Sequence, residues 1–423
     1  MMNSTIKILV AVLSLLVVGY ASMAMFYGQV VAVDGDAYRE IAVFVDVLKK
    51  INDDYVESPN MQKVMNGAMR GLVESLDPYG GYFTRDQLAA LDRQKEQQKG
   101  DVGLVLSKKP ELIYVVSVLE NSPARKGGIR PGDFIISINK VSTYSQHLSE
   151  VEGELRGQPG TDVTLAVLRG SQAEPIDIKL TREEVRFPEF TQKILEDGLG
   201  YLAVPFIHQT AGEEFRTKLK MLQAAGARKL ILDFRYTAGG DTSQALQIVN
   251  FFIREGLLAF TQGKAKGKRE IKADPALHFC EMPLVVLTNG FTSGAAELIA
   301  GALKDSRRGT IVGEKSFGQG SIQERIELKD GSVLVLTSAL YYTPSGKVIQ
   351  ADSGKQGGIL PDIVSPEEKV KADIALKNYL RNRDENSDHS FQELMEEIDG
   401  IQLRKALEVV KTLHPAEAQQ KAA

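Results

Sequence analysis

The segment Lys229-Leu230-Ile231-Leu232-Asp233-Phe234 constrains this 423-residue chain more than any other. Its apolar side chains fall on both faces of an extended strand, so both faces need cover. That is the pattern of a strand inside a parallel sheet with helices on either side. Leu284–Leu287 is a second apolar strand, and Gly200–Val204 and Thr310–Gly313 read as further strands. Between them, Thr210–Gly226 places Phe215, Leu219 and Leu222 on one helical face, and Thr242–Phe252 reads as another helix. The first strand feeds Arg235-Tyr236-Thr237-Ala238-Gly239-Gly240, and the second runs into an Asn289-Gly290 turn. The spacing predicts an α/β unit over residues 186–365, in a chain long enough for several domains.

The amino terminus is expected to reach a membrane. Lys7 precedes an apolar run from Ile8 to Tyr27, and ~20 helical residues at ~1.5 Å each can span a bilayer. Ala21-Ser22-Met23-Ala24 offers no clean Ala-x-Ala cleavage site. The expectation is therefore an uncleaved single-pass anchor over residues 1–34, with a cleaved signal peptide as the alternative. The globular part would then lie on the periplasmic, extracytoplasmic side of a bacterial-type inner membrane. A helical region is expected over residues 35–100. Asp36–Val56 carries Ile41, Phe44, Leu48, Ile51 and Tyr55 on one face, a second helix covers Asn60–Leu76, and a charged third covers Arg85–Lys99. The element Leu76-Asp77-Pro78-Tyr79-Gly80-Gly81 stops the second helix, because Pro78 restricts Asp77 and the glycines permit a turn.

Composition adds limits. A net charge of −4 argues against nucleic acid as a partner. The single cysteine, Cys280, forbids an internal disulfide and reads as a packed core thiol. No zinc-type cluster occurs, and neither metal nor other cofactor is expected. The five histidines, at 147, 208, 278, 389 and 414, fall in no motif.

Residues 101–185 resemble a PDZ domain. Val102-Gly103-Leu104-Val105 occupies the place of the carboxylate-binding loop and the strand after it. Ser122-Pro123-Ala124 starts a helix that Gly127-Gly128-Ile129 ends, and Asp162–Leu168 alternates as a strand after a Gly-Gln-Pro-Gly turn. The resemblance implies binding of peptide C-termini by strand addition along Val102–Leu106, with backbone N–H groups holding the carboxylate. Asp101 places an acidic side chain beside that loop, which is unhelpful for an anionic ligand.

Positions 290–323 read GFTSGAAELIAGALKDSRRGTIVGEKSFGQGSIQ. This resembles the catalytic core of the carboxy-terminal processing, or tail-specific, serine peptidases. There the segment runs Ser-Ala-Ser-Ala-Ser-Glu, an Ala-rich helix, then Phe-Gly-Lys-Gly-x-Val-Gln. Tyr341-Tyr342-Thr343-Pro344-Ser345-Gly346, Gly358-Ile359-Leu360-Pro361-Asp362 and the Leu-Asp-Pro-Tyr element at 76–79 resemble that family too. The implied fold is multidomain α+β: an N-terminal membrane helix, a helical segment, a PDZ domain, a ClpP- and crotonase-like α/β peptidase core, and C-terminal helices over 366–423.

Anchoring on Glu297 puts Gly294 at the nucleophile position, and anchoring on Phe317-Gly318 puts Gln319 at the base position. Glycine has no nucleophile, and an amide does not titrate near neutral pH. Gln323 falls where the family orients its Lys, and with no Lys present Gln319 is expected to hydrogen-bond Gln323. The resemblance also implies an oxyanion hole from the N–H of Gly239 or Gly240 together with that of Ala295. Ser293, next to the empty position, reads as a helix N-cap rather than a displaced nucleophile. The residues thus point to a non-catalytic family member that binds peptide or protein C-termini. An active endopeptidase with a displaced nucleophile is the alternative, and a structural membrane protein with a closed PDZ groove is a third reading. Further partner classes are an active peptidase or a second copy of the chain.

Overall fold

The computed structural model describes residues 35–109, 112–144, 146–169, 174–351, 356–367, 370 and 388–414. The Ile8–Tyr27 run lies outside them. Among the described residues no helix is long and apolar enough to cross a membrane. The chain divides at Met69 into two units.

The first unit holds α1 (Gly35–Asp54) and the start of α2 (Met61–Glu74). The expected apolar stripe lies on α1, but its ends stay open: Ile41 is 55% and Tyr55 61% exposed. Phe44, Leu48 and Ile51 are half-buried.

In the second unit, β1 (Gly81–Phe83) and α3 (Arg85–Gln97) lead into a small sandwich. Thr84 caps α3 through a reciprocal pair of bonds with Gln87. The sandwich comprises β2 (Gly100–Asp101), β3 (Leu104–Lys109), β4 (Leu112–Val118), α4 (Pro123–Lys126), β5 (Phe134–Ile138) and β6 (Val141–Ser142). It continues with α5 (Leu148–Leu155), β7 (Asp162–Leu168), β8 (Ile176–Thr181) and β9 (Glu183–Glu184). The sheet order is β3-β4-β5-β7-β8, so β3 is an edge strand, while β2 pairs with β9. Val102, Ile113, Val115, Ile135, Ile138, Val151, Leu165 and Val167 fill the interior with no more than 1% exposure.

The α/β unit follows with β10 (Thr191–Leu195), β11 (Leu199–Ala203), α6 (Ala211–Ala224), β12 (Lys229–Asp233) and α7 (Thr242–Asn250). The hairpin β13 (Leu257–Gly263) and β14 (Gly267–Lys272) precedes β15 (Leu284–Thr288), α8 (Ala295–Asp305) and β16 (Gly309–Gly313). Next come β17 (Ser321–Glu327), β18 (Val333–Tyr342), β19 (Ile363–Val364) and α9 (Asp388–Thr412). The main sheet runs β10-β11-β12-β15-β16-β19, parallel except for β10 against β11. Helices α6, α7 and α8 cover one face, and Ala406 and Val410 of α9 cover the other. Leu230, Ile231 and Leu232 are therefore all inaccessible to solvent, each worth roughly 2 kcal/mol of burial. A second sheet, β1-β18-β13-β14 with β17 on β18, stands beside it.

Candidate active site

The C-terminal ends of β12 and β15 bring two turns together. Phe234 N–H donates to the Leu287 carbonyl, and Thr292 Oγ1 donates 2.8 Å to the Phe234 carbonyl. Ser293 N–H then donates 2.9 Å to the Thr237 carbonyl. These bonds seat residues 291–295 against the Gly239-Gly240 turn.

Gly294 stands at the start of α8 with φ 64° and ψ −119°. This left-handed corner is the sharp strand-to-helix elbow on which a nucleophile is displayed, and here it displays none. A Cβ at this position would lie 3.1 Å from both the Cα and the carbonyl oxygen of Gly239. The elbow is closed against its neighbour.

The expected oxyanion hole is not open. Ala295 N–H donates 3.1 Å to the Gly239 carbonyl, and Gly239 N–H donates 3.3 Å to Ser293 Oγ. Both donors are spent internally, the first on the Gly239 carbonyl and the second on the Ser293 hydroxyl. Gly240, at φ 94°, packs on the Ile207 backbone, where a Cβ would come within 2.8 Å of the carbonyl oxygen.

Ser293 does not cap α8. The N-cap position belongs to Gly294, whose N–H donates 3.0 Å to the Glu297 carboxylate. The fully buried Ser293 hydroxyl instead donates 3.3 Å to Gln319 Oε1. Gln319 therefore pairs with Ser293 and not with Gln323. Gln323 reaches Ser321 Oγ and, at 2.9 Å, Thr337 Oγ1, because a bulge between Ile322 and Gln323 turns it along the second sheet.

Glu297 ties the site together. Its buried carboxylate accepts from Ser316 Oγ, from Gly318 N–H at 2.7 Å, from Gln319 N–H at 2.7 Å and from Gly294 N–H. Burial pushes this carboxyl up to about 7, against four donors that favour its ionised form. The sequence showed Glu297 only as a motif anchor, although a Glu at the third helical position is a capping signal.

A second cluster was not anticipated. Arg235 chelates Asp233, with Nε 2.9 Å from Oδ1 and Nη2 2.6 Å from Oδ2. Its Nη1 reaches the Asp399 carbonyl and, at 3.1 Å, the Asp399 carboxylate on α9. Tyr201 donates 2.7 Å to Asp233, and Tyr236, at φ 62°, donates to Asp399. Burial pushes Asp399 up to about 6 although Arg235 pulls it down. A cleft of about 450 Å³ opens beside this cluster, lined by Ser117, Glu120, Arg130, Tyr236, Phe291 and Asp399 among others.

The PDZ-like sandwich lies directly on the site. Ser117 Oγ of β4 donates 2.7 Å to the Tyr236 carbonyl, and Tyr114 stacks on Phe317 with centroids 5.9 Å apart. The histidines of this region are engaged elsewhere: His147 with Ser149 and the Tyr79 carbonyl, His208 with Glu214, His278 with Glu281. Among the described residues no group of three His, Cys, Asp or Glu side chains gathers as a metal site. Cys280 is buried, which pushes its thiol up.

An elbow at the end of a parallel strand, facing a Gly-rich turn and topped by a PDZ-like sandwich, defines the serine peptidases that process protein C-termini. Residues 198–365 match peptidase family S41 and residues 114–169 match the PDZ domain. A carboxy-terminal-processing protease of Bartonella bacilliformis is 31% identical over 89% of both chains. A probable CtpA-like serine protease of Staphylococcus aureus is 34% identical over 75% of this chain and 63% of that protein. The photosystem II D1 C-terminal processing protease superposes with a TM-score of 0.63 at 26% identity, over 76% of this chain and 92% of that one. The chain belongs to the carboxy-terminal-processing peptidase family.

Proposed function

We propose that this chain is a non-catalytic member of its family that binds peptide or protein C-termini. One observation carries this reading: position 294 has no side chain, and the neighbouring Ser293 hydroxyl meets an amide oxygen rather than a base. A Ser–Lys mechanism needs both a nucleophile and a neutral amine to take its proton. The peptide-binding role rests on the PDZ match and on the edge position of β3. The Ile8–Tyr27 run supports attachment to the inner membrane with the globular part outside the cytoplasm.

The test is mass spectrometry of an unfolded substrate ending in small apolar residues, incubated with the protein and with its Gly294→Ser/Gln319→Lys variant. Intact substrate is expected with the protein as it stands, and cleavage would overturn the reading. Activity in the double variant requires the Gly239 carbonyl to leave Ala295 N–H, so any cleavage there reports that the turn can switch.

The second reading is an active endopeptidase using Ser293. In its favour, Ser293 Oγ lies 3.3 Å from the side chain at the base position. Against it, that side chain is an amide and the hydroxyl is buried. Covalent labelling of Ser293 by a hydroxyl-directed phosphonate would establish it.

A further inference from the structure

The loop before β3 shows what fills the carboxylate site. The Val102 carbonyl accepts 2.9 Å from Ala124 N–H, and the Gly103 carbonyl accepts 2.9 Å from Leu119 N–H. Across the trans peptide the first of these bonds turns the Gly103 N–H away from Ala124. The Val102 and Gly103 N–H groups converge on a single oxygen: Asp101 Oδ1 accepts from Val102 N–H at 2.6 Å and from Gly103 N–H at 2.9 Å. The other oxygen, Oδ2, lies 3.5 Å from Arg156 Nε, just beyond the end of α5. A carboxylate with two backbone donors and an arginine is the arrangement a peptide C-terminus would take there. Of the apolar side chains between β3 and α5, Leu104 and Leu148 remain partly exposed. Val102, Leu106, Val151 and Leu155 are no more than 4% exposed.

We propose that Asp101 is a built-in stand-in for the ligand's terminal carboxylate, so that a peptide C-terminus binds only by displacing it. Occupation acts twice. The two N–H donors are already satisfied, so an incoming carboxylate gains nothing from them until Asp101 leaves. An anion entering beside Asp101 also meets a like charge at short range. Asp101 has somewhere to go: it is about a third exposed and Arg156 is within reach. This rests on the reading of β3 as a peptide-binding edge and adds the residue that sets its selectivity.

The experiment is fluorescence anisotropy with the full chain in detergent. It uses one labelled peptide ending in small apolar residues, once as the free acid and once as the C-terminal amide. The protein as it stands is expected to bind both weakly and within about twofold of each other. Asp101→Ala empties the donors and leaves Arg156 for the ligand, so the acid is expected to bind about tenfold more tightly than the amide. Asp101→Asn keeps an acceptor oxygen on the same two N–H groups but removes the like charge, and is expected to fall between the unaltered protein and Asp101→Ala. Asp101→Gly replaces the alanine variant if the latter has lost its thermal transition. Acid-over-amide preference already present in the unaltered protein, with no gain in Asp101→Ala, would overturn the stand-in and leave the peptide-binding reading intact. An equal gain in Asp101→Asn would overturn occupation too, since the oxygen would still be present. Absence of binding to either peptide in every variant would overturn both readings.

Discussion

At the residue scale, Gly294 shapes the elbow and the Glu297 side chain holds it in place. Gly294 adopts the elbow conformation that a serine would hold only with strain of roughly 1–3 kcal/mol, so glycine avoids that cost. Glu297 then fixes the elbow to residues 316–319. Its folded pKa of about 7 lies above the ordinary glutamate value. A raised pKa means that the contribution is fully present below the unfolded value near ~4.3 and is lost as pH rises through about 7. By linkage the loss amounts to about 4 kcal/mol above pH ~8. Urea denaturation between pH 5 and 8.5 should therefore show the stability difference between the protein and its Glu297→Gln variant shrinking as pH rises. A difference independent of pH would mean that Glu297 stays ionised throughout.

At the element scale, the sequence announced strands and helices whose burial is one- or two-sided. β12 and β15 stand in the parallel sheet as their continuous apolar runs require, and β7 occupies the span its alternation predicted. The β13–β14 hairpin was not legible, because Gly267–Lys272 is charged and mostly exposed and carries no periodic signal. The site was legible as positions on a chain but not as directions of bonds. Nothing in Gly239 or Ala295 says which way the intervening carbonyl points, and the join between Arg235 and Asp399 spans residues far apart in sequence. That join makes a prediction for α9. Arg235 is 9% exposed and Asp233 6%, so Arg235→Met leaves a buried carboxylate without its bidentate partner. Removing one member of a buried pair costs about 3–5 kcal/mol. The variant should unfold earlier in urea, and amide exchange over residues 395–410 should rise as α9 loses its hold on the β12 turn. Unchanged exchange in α9 would show that Ala406 and Val410 anchor the helix on their own.

At the scale of the whole second unit, the PDZ-like sandwich and the peptidase-like core meet beside the Gly239-Gly240 turn and the segment carrying Gln319. The contacts differ in kind: a hydrogen bond from Ser117 to Tyr236, a ring stack of Tyr114 on Phe317, and Val105 at 3.4 Å from where a side chain on Gly239 would begin. Each reaches a different part of the site: the turn after β12, the segment carrying Gln319, and the glycine whose carbonyl takes the Ala295 N–H. The docked sandwich thereby holds the closed arrangement from outside, while Glu297 holds it from within. Losing Ser117 Oγ removes one bond worth about 1 kcal/mol, and losing the Tyr114 ring removes a contact of about 0.5–1.5 kcal/mol beyond its burial. A Ser117→Ala/Tyr114→Ala variant should therefore leave global stability of the core nearly unchanged while speeding hydrogen exchange at the amides of residues 237–241 by about tenfold. Tyr236 N–H, which donates to Asn289 within the core, is the internal reference. Faster exchange at residues 237–241 with Tyr236 unmoved would show the sandwich acting as a lid on the glycine turn. Equal exchange in variant and parent would place the closed turn under the control of the core alone, with Ser293 and Ala295 sufficient to keep it shut.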